Sequence, residues 1–386
     1  MNNKGAEVFI IGGPDVNARI ALMQHMGKLQ IVAAGSKSDL RDEFSQAGFD
    51  YFYYPLDRGT NPIADIFTFF SLLRLYTRLR PDIVHAFDTK PCVWGRLAAA
   101  LARVPVVIGT IPGLGKLYTK KNFKNRLLRF VYQPLQKLAC AVSDLTIFQN
   151  QDDFDFFTTA GIVAAQKASV IPGSGVNTDQ FSPSGVIQQQ ARTFRHELGI
   201  SEERVVVTMI SRLIRTKGVL EFANAAQEIR SFDDKITFLL VGPEDRESID
   251  RLTPDEMEQV KEKVNWIGVR DDIPVVLAAS DIFVLPTYYR EGIPRVLLEA
   301  ASMELPLVAT DMPGCREVVQ DGDNGFLVPP KDNESLVAAI SKMVDDPGLR
   351  RRFGKQSRQR VVKHFDLTLI AEQTKNTYRR LLSENG

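Results

Sequence analysis

VVVTMISRLIRTKGVLEF, residues 205–222, is the stretch on which the fold turns. Its opening, VVVTMIS (205–211), is apolar without alternation, as expected of a strand buried on both faces of a parallel sheet. A basic loop and Gly218 follow, and then a helix start. The stretch is decisive because the chain has already completed one series of such runs. Upstream lie EVFIIGG (7–13), LQIVAAG (29–35), YFYYPL (51–56), DIVHAF (82–87), VPVVIGT (104–110), LTIFQN (145–150) and ASVIPGSG (168–175). Helix-length segments such as IFTFFSLLRLYTRLR (66–80) separate them. Downstream lie ITFLLVG (236–242), VNWIGV (264–269), DIFVLPT (281–287), LPLVATD (305–311) and GFLVPP (325–330). The polar FSPSGVIQQQARTFRHELGI (181–200) divides the two sets and places a linker near residue 177.

Two βαβ series in succession predict an α/β chain of two doubly wound, Rossmann-like domains, residues 1–177 and 178–365, facing each other across a cleft. A length of 386 residues suits two cores. In such sheets ligands bind outside the carboxyl ends of the strands, so the loops after each run carry the interest. Neither common phosphate loop is present. The first turn reads Gly12-Gly13-Pro14-Asp15 in place of G-x-G-x-x-G, and no G-x-x-x-x-G-K-[ST] occurs.

Composition is that of a globular protein, 44% hydrophobic and 25% charged, and a net charge of +1 speaks for neither nucleic acid nor membrane. Cys92, Cys140 and Cys315 lie far apart with no C-x-x-C pair, which points to a reducing compartment and away from disulfides or a zinc site. The N-terminal apolar run is too short for a signal peptide. No stretch approaches the roughly 20 apolar residues of a spanning helix. The expectation is a cytoplasmic chain that meets a membrane only from that side.

At the end of the 205–211 run, Arg212 and Lys217 offer a planar fork and a mobile ammonium beside a helix start. That pair suits a diphosphate. Solvated loop charges are the other reading, and Arg215 fits that one better. YYREGIPRVLLEA (288–300) sets Glu291 in a loop after a strand and Glu299 inside the next helix, with Pro294 at the first helical position. The amides of Gly292 and Ile293 point out of a helix mouth that favours negative charge. Glu299 can accept both hydroxyls of a ribose. Glu291 can hold a sugar hydroxyl or balance positive charge near an anomeric carbon. A capping role for Glu291 and a solvated Glu299 are the alternatives, but the apolar RVLLEAA argues that Glu299 is mostly buried. Asp153-Phe154-Asp155 matches a D-x-D metal motif, yet acids in a first helical turn are expected from the helix dipole alone. His25, His196 and His364 have no metal-ligand spacing.

The E-x7-E pattern, with R-x4-K half a domain earlier, resembles the GT-B glycosyltransferases of the large retaining family 4 type, which includes many bacterial lipopolysaccharide and capsule enzymes. Similar segments run along nearly the whole chain: HAFDTKPCVWGRLAA (85–99), TIPGLG (110–115), VIPGSGVNTDQF (170–181), REGIPRVLLEA (290–300) and DMPGCREVVQDGDNGFLVPPKD (311–332). They are most similar to the bacterial subgroup that adds an N-acetylhexosamine or related sugar to a polyprenyl-diphosphate-linked acceptor. The resemblance implies that Arg212 and Lys217 neutralise the diphosphate of a UDP-sugar, that Glu299 binds the ribose and that Glu291 faces the donor sugar. It implies that Gly13 approaches the phosphates from across the cleft, with Gly292, Ile293 and Arg295 completing the donor site. Transfer with retention, no metal cofactor and a final helix, 366–386, crossing back onto the first domain are implied as well. The first domain would take the acceptor, with His85, Lys90, Gly113 and Gly115 on that side. Two departures stand out. Many members read E-G-F-G where this chain has Glu291-Gly292-Ile293-Pro294, so one amide is lost and Arg295 stands to replace it in part. Many read H-x-H where this chain has His85-Ala86-Phe87, which puts a general-base role for His85 in doubt beside an acceptor-positioning one.

From Thr89 to Ser143 there is no Asp or Glu. The densest basic part, KLYTKKNFKNRLLRFVYQPLQKL (116–138), interleaves Lys120, Lys121, Lys124, Arg126 and Arg129 with apolar residues. A basic amphipathic helix reads as a membrane-surface element suited to a greasy, anionic acceptor, and a solvated helix face is the plainer alternative. Nucleic acid is not expected, since no stacking platform accompanies the charge. The reading is a cytoplasmic enzyme, peripheral on the inner face of the plasma membrane, that moves a sugar from a UDP donor to a lipid-linked saccharide. A GT-B sugar-nucleotide epimerase and a non-catalytic two-domain sugar binder remain as alternatives.

Overall fold

The structure, a computed structural model, describes residues 7–385 apart from 13–15, 28, 58, 60, 115–122, 174 and 232–234, with backbone alone for 7–12, 16–18 and 123–125. The chain groups into two compact units. One is Met1–Gly175 with Glu291–Ile293 and Leu367–Gly386, and the other is Val176–Arg290 with Pro294–Asp366.

In the first unit β1 (Glu7–Gly12), β2 (Gln30–Gly35), β3 (Asp50–Tyr53), β4 (Ile83–Phe87), β5 (Val106–Ile111), β6 (Leu145–Phe148) and β7 (Ala168–Val170) form one sheet. The strand order is β3-β2-β1-β4-β5-β6-β7 and every pairing is parallel. The helices are α1 (Val16–His25), α2 (Arg41–Gln46), α3 (Pro62–Leu79), α4 (Pro91–Leu101), α5 (Phe123–Ala141) and α6 (Gln151–Thr159). Local chemistry sets their ends. Asn61 caps α3 by accepting from the amides of Ile63 and Ala64, Pro62 takes the first helical position, and Arg80 stops the helix in a left-handed conformation at φ 48°.

Burial explains why these strands show no alternation. Every residue of β4 is buried. Ile83 and Phe87 join Leu22 and Met23 of α1, and Met26 just after it, on one face, while Val84 and Ala86 join Leu72 and Tyr76 of α3 with Ala98 and Ala99 of α4 on the other.

The second unit carries β8 (Val205–Ile210), β9 (Ile236–Val241), β10 (Asn265–Trp266), β11 (Ile282–Leu285), β12 (Leu307–Thr310) and β13 (Gly325–Val328), all parallel in the order β10-β9-β8-β11-β12-β13. Its helices are α7 (Gly185–Glu197), α8 (Val219–Arg230), α9 (Pro254–Lys263), α10 (Ile273–Ala278), α11 (Arg295–Ser302), α12 (Pro313–Val318), α13 (Asn333–Asp345) and α14 (Pro347–His364). A last helix, α15 (Leu367–Asn385), belongs to the first unit, where Ile370, Ala371, Tyr378 and Leu381 enter the core beside α1. Each apolar run read from the sequence contains a strand. The 264–269 run yields only β10, because the chain turns at Gly268, φ 76°, so that its carbonyl can accept from the Gly242 amide at 2.7 Å.

A polar cluster ties α15 to the sheet. His85 of β4 is 1% exposed. Its Nδ1 lies 2.6 Å from the Tyr378 hydroxyl, its Nε2 lies 2.7 Å from the Thr110 hydroxyl, and its ring stacks on Phe87 with centroids 4.0 Å apart. Burial, followed by the Arg19 and Arg96 guanidiniums, pushes its pKa well below the ordinary 6.5. The unfolded chain therefore binds a proton that the folded chain refuses. Stability from this group is intact above about pH 6.5 and falls as the pH drops below it. Thermal midpoints should decline between about pH 7 and 5, the contribution of this group reaching at most about 1.4 kcal/mol per pH unit. His85→Gln should flatten that decline, and an unchanged slope in the variant would assign the titration to another group.

Candidate functional site

The winding of each sheet reverses once. β8, the first strand of its sheet, pairs with β9 on one side and β11 on the other, so the loops after β8 and β11 leave the carboxyl edge at the reversal. Open parallel sheets bind their ligands at that position. These two loops carry Arg212 and Lys217, and YYREG ahead of Glu299. In the first unit the reversal falls between β1 and β4, with His85 in β4 and Lys90 shortly after it.

The loop after β8 is seated on the end of β11. Arg215–Lys217 make one 3-10 turn, and Gly218, at φ 83°, follows as the N-cap of α8. A Cβ built on Gly218 would stand 2.1 Å from the Pro286 carbonyl oxygen. Close approach and a left-handed backbone both demand glycine here. The Tyr288 amide donates to the Thr216 carbonyl at 3.0 Å, and the Thr287 hydroxyl donates to the same oxygen at 3.1 Å. Lys217 is thereby set at the start of α8, beside the loop after β11.

The two arginines of the β8 loop part company. Arg212 is half-exposed, with Nη1 2.6 Å from the Asp245 carboxylate after β9. Arg215 is held bidentately by Glu256, Nε to Oε1 at 2.9 Å and Nη2 to Oε2 at 2.5 Å. Glu256 also completes a capping box with Thr253 at the start of α9. The expectation of a merely solvated Arg215 is corrected: it fastens the loop to α9.

Helix α11 begins at Arg295, with Pro294 as its N-cap at φ −65° and ψ 111°, which corrects the expectation that proline would be the first helical residue. Glu299 sits on the second turn and is 9% exposed. Its Oε1 pairs with Nε of Arg295 at 2.9 Å. Glu291, Gly292 and Ile293 group with the first unit, while Pro294 through Glu299 belong to the second.

Tyr288, on the loop after β11, was not singled out from sequence. Burial, followed by the charges of Glu221 and Asp250, pushes its phenol up to about 12, so it keeps its proton at neutral pH. Nζ of Lys331 lies 4.3 Å from its ring centroid. The doubled tyrosine in YYREG was visible, but nothing local told which of the two is packed.

On the first unit, Lys90 pairs with Asp65 at 2.6 Å and Gly113 adopts φ 151°. Gly13, Gly115, Lys120 and Lys121 lie outside the described residues, as does the side chain of Lys124. Asp153 is 1% exposed and acts in a cap: its amide donates to Asn150 Oδ1 at 2.8 Å, and its carboxylate accepts from Asn150 Nδ2 at 3.0 Å. Asp155 accepts from Gln151 Nε2 at 2.8 Å. Among the described residues no group of three or more His, Cys, Asp and Glu is placed to hold a metal ion.

Residues 190–360 match the family described as Glycosyl transferases group 1, and residues 21–180 match Glycosyltransferase Family 4. The chain is 30% identical over 351 residues to the N,N'-diacetylbacillosaminyl-diphospho-undecaprenol alpha-1,3-N-acetylgalactosaminyltransferase of Campylobacter jejuni, an alignment covering 89% of this chain and 90% of that one. It is 29% identical to the UDP-Gal:alpha-D-GlcNAc-diphosphoundecaprenol alpha-1,3-galactosyltransferase of Escherichia coli, over 89% of this chain and 86% of the relative. Among solved structures, Anabaena Alr3699/HepE in complex with UDP matches at TM-score 0.78 and 20% identity, over 97% of this chain and 100% of that one. A glycosyltransferase from Rickettsia africae matches at TM-score 0.81 and 19% identity, over 99% of each chain.

The seating of the β8 loop can be tested directly. Gly218→Ala should lower stability by about 2 kcal/mol or more, since its methyl meets a backbone carbonyl in a conformation that L residues avoid. Arg212→Ala, which breaks a partly exposed ion pair, should change it by less than about 1 kcal/mol. Urea unfolding reads both, and equal midpoints for the two variants would contradict the seating.

Proposed function

The chain belongs to the GT-B glycosyltransferases of the group 1 and family 4 type, and on that premise we propose that it transfers an N-acetylated hexosamine, or a deoxy relative, from a UDP-sugar to a saccharide carried on a polyprenyl diphosphate. It is an enzyme that depends on a nucleotide sugar. One observation carries the reading of the site: Arg212 and Lys217 lie in the loop after one central strand of the second sheet, and Glu299 follows the adjacent strand, at the reversal of winding.

In this reading the donor diphosphate lies against Arg212 and Lys217, and the Glu299 carboxylate takes the ribose. Glu291 faces the donor sugar. Transfer breaks the bond from the anomeric carbon to the diphosphate oxygen and forms one to the oxygen of an acceptor hydroxyl, whose proton passes to the departing diphosphate, with retention. Negative charge gathers on the departing diphosphate as that bond breaks. A guanidinium and an ammonium fixed beside it stabilise the charge where it develops, which is the work a metal ion would otherwise do. Relatives named for undecaprenyl-diphosphate acceptors, spanning most of this chain, support the acceptor class. No described helix is long and apolar enough to cross a membrane. The enzyme then reaches its lipid-linked acceptor peripherally, from the cytoplasmic face, with the basic residues of α5 toward anionic lipid.

The purified protein should gain roughly 2.7 kcal/mol of stability from UDP at about 100 times its dissociation constant, with no comparable gain from GDP or ADP. Glu299→Ala should abolish that gain. Glu291→Gln should keep it while lowering transfer from UDP-N-acetylhexosamines to a diphospho-polyprenyl saccharide by about a hundredfold. Transfer should also survive chelation by EDTA. A thermal midpoint unmoved by all three nucleotides would defeat the donor-site reading, and activity abolished by EDTA and restored by a divalent cation would defeat its metal-free form.

A further inference from the structure

Helix α3 turns a row of large apolar side chains toward solvent: Ile63, Ile66, Phe67 and Phe70, each 52–67% exposed. Their spacing of three, four and seven puts them on one stripe. The opposite stripe, Thr68, Leu72 and Tyr76, is the one that packs into the core. A surface helix in water ordinarily carries polar residues on its outer face, and a contiguous apolar stripe there marks an interaction surface. One and two turns beyond Phe70 the same stripe passes into Arg74 and Arg78, both exposed.

Helix α5 repeats the arrangement. Leu127, Phe130 and Val131 are 58–77% exposed, and Arg126 and Arg129 line an open depression with Leu127 and Phe130. α4 packs between α3 and α5 on one face of the first sheet. Two contacts tie the start of α3 and the middle of α5 to the start of α4. Lys90 pairs with Asp65, the acid of α3, at 2.6 Å, and the Tyr132 hydroxyl of α5 donates to the Thr89 carbonyl just before α4 at 2.8 Å. The two apolar stripes therefore flank the same end of α4.

We propose that α3 and α5 form a two-helix lipid-docking face, its apolar side chains entering the interfacial layer of an anionic leaflet while Arg74, Arg78, Arg126 and Arg129 engage phosphate headgroups. The proposal deepens the peripheral reading above and rests on it. Charge selects the occupant. No acid occurs from Thr89 to Ser143, and the acid of α3 is neutralised by Lys90. A face both apolar and basic matches anionic lipid, whereas a second copy apposed through it would set cation against cation. The α3 stripe also changes the kind of binding. At 1 M salt the screening length falls to about 3 Å, so attachment by charge alone is lost while apolar insertion persists.

Flotation of the full-length protein with phosphatidylglycerol-containing vesicles, against phosphatidylcholine vesicles, tests this at about 0.1 and 1 M salt. Wild type should bind the anionic vesicles and retain part of that binding at high salt. Phe67→Ser with Phe70→Ser should weaken binding about tenfold or more and abolish the salt-resistant part. Arg126→Gln with Arg129→Gln should remove chiefly the low-salt part. The thermal midpoint and the UDP-induced shift, measured on the same variants, report folding and the donor site separately from docking. Serine variants that float like wild type at both salts would overturn the α3 assignment and leave the charge-based reading standing. Wild type that binds no vesicle would overturn both. A concentration-dependent dimer dissolved by the serine substitutions would overturn the proposal in favour of self-association.

Discussion

In each sheet the winding runs outward from the first strand, stops, and resumes on that strand's other side. A parallel sheet covered by helices on both faces offers a ligand no entry through its faces, so the carboxyl edge is what remains. Along that edge the loops part at the reversal, between β1 and β4 in one unit and between β8 and β11 in the other. The remainder of the second unit's site follows from this constraint. The loop that carries Arg212 and Lys217 adjoins the one ahead of Glu299 because β8 and β11 are hydrogen-bonded neighbours, not because their residues are close in the chain. Gly218 makes the arrangement tight, since any side chain there would collide with the Pro286 carbonyl.

The charges around this edge divide by how firmly they are held. Arg215 is gripped in a fork by a carboxylate that also caps a helix, so it serves the scaffold. Arg212 holds Asp245 with a side chain 54% exposed, and such pairs contribute between nothing and about 1 kcal/mol. In the proposed reading, a diphosphate would therefore draw Arg212 away from Asp245 at small cost. Glu299 is in the opposite state. It is buried and paired with Arg295, so its carboxylate is already oriented for the ribose that the proposed reading assigns to it. One cation that opens readily and one acid already fixed suit a donor whose anionic part and nucleoside are gripped in different ways.

The first unit is built to a different plan. Within its largely apolar core His85, Tyr378 and Thr110 join β4, β5 and α15, a hydrogen-bonded set that satisfies a buried imidazole and fixes the last helix. On the far side of the sheet, α3 is apolar along two stripes, one in the core and one in solvent. Water alone gives a protein no reason to keep the second.

The strands, the restart at residue 205 and the two-sheet plan were legible in the chain because burial on both faces writes a local signature, an unbroken β-branched run bounded by loops. The motif residues at the strand ends were legible for the same reason, since a strand end locates the loop that follows it. The partners of those residues were not. Arg215 finds Glu256 at a separation of 41 residues and Arg212 finds Asp245 at 33, and no local pattern says which of two neighbouring arginines will be captured. The fate of His85 was equally hidden, because the hydroxyl that holds it lies 293 residues away. Likewise 66–80 reads simply as an apolar helix. Which of its stripes the core takes depends on where α4 and the sheet lie, and only packing in three dimensions leaves Ile66, Phe67 and Phe70 outside. Periodicity is a property of neighbours along the chain, whereas ion pairing and exposure depend on what the fold brings alongside.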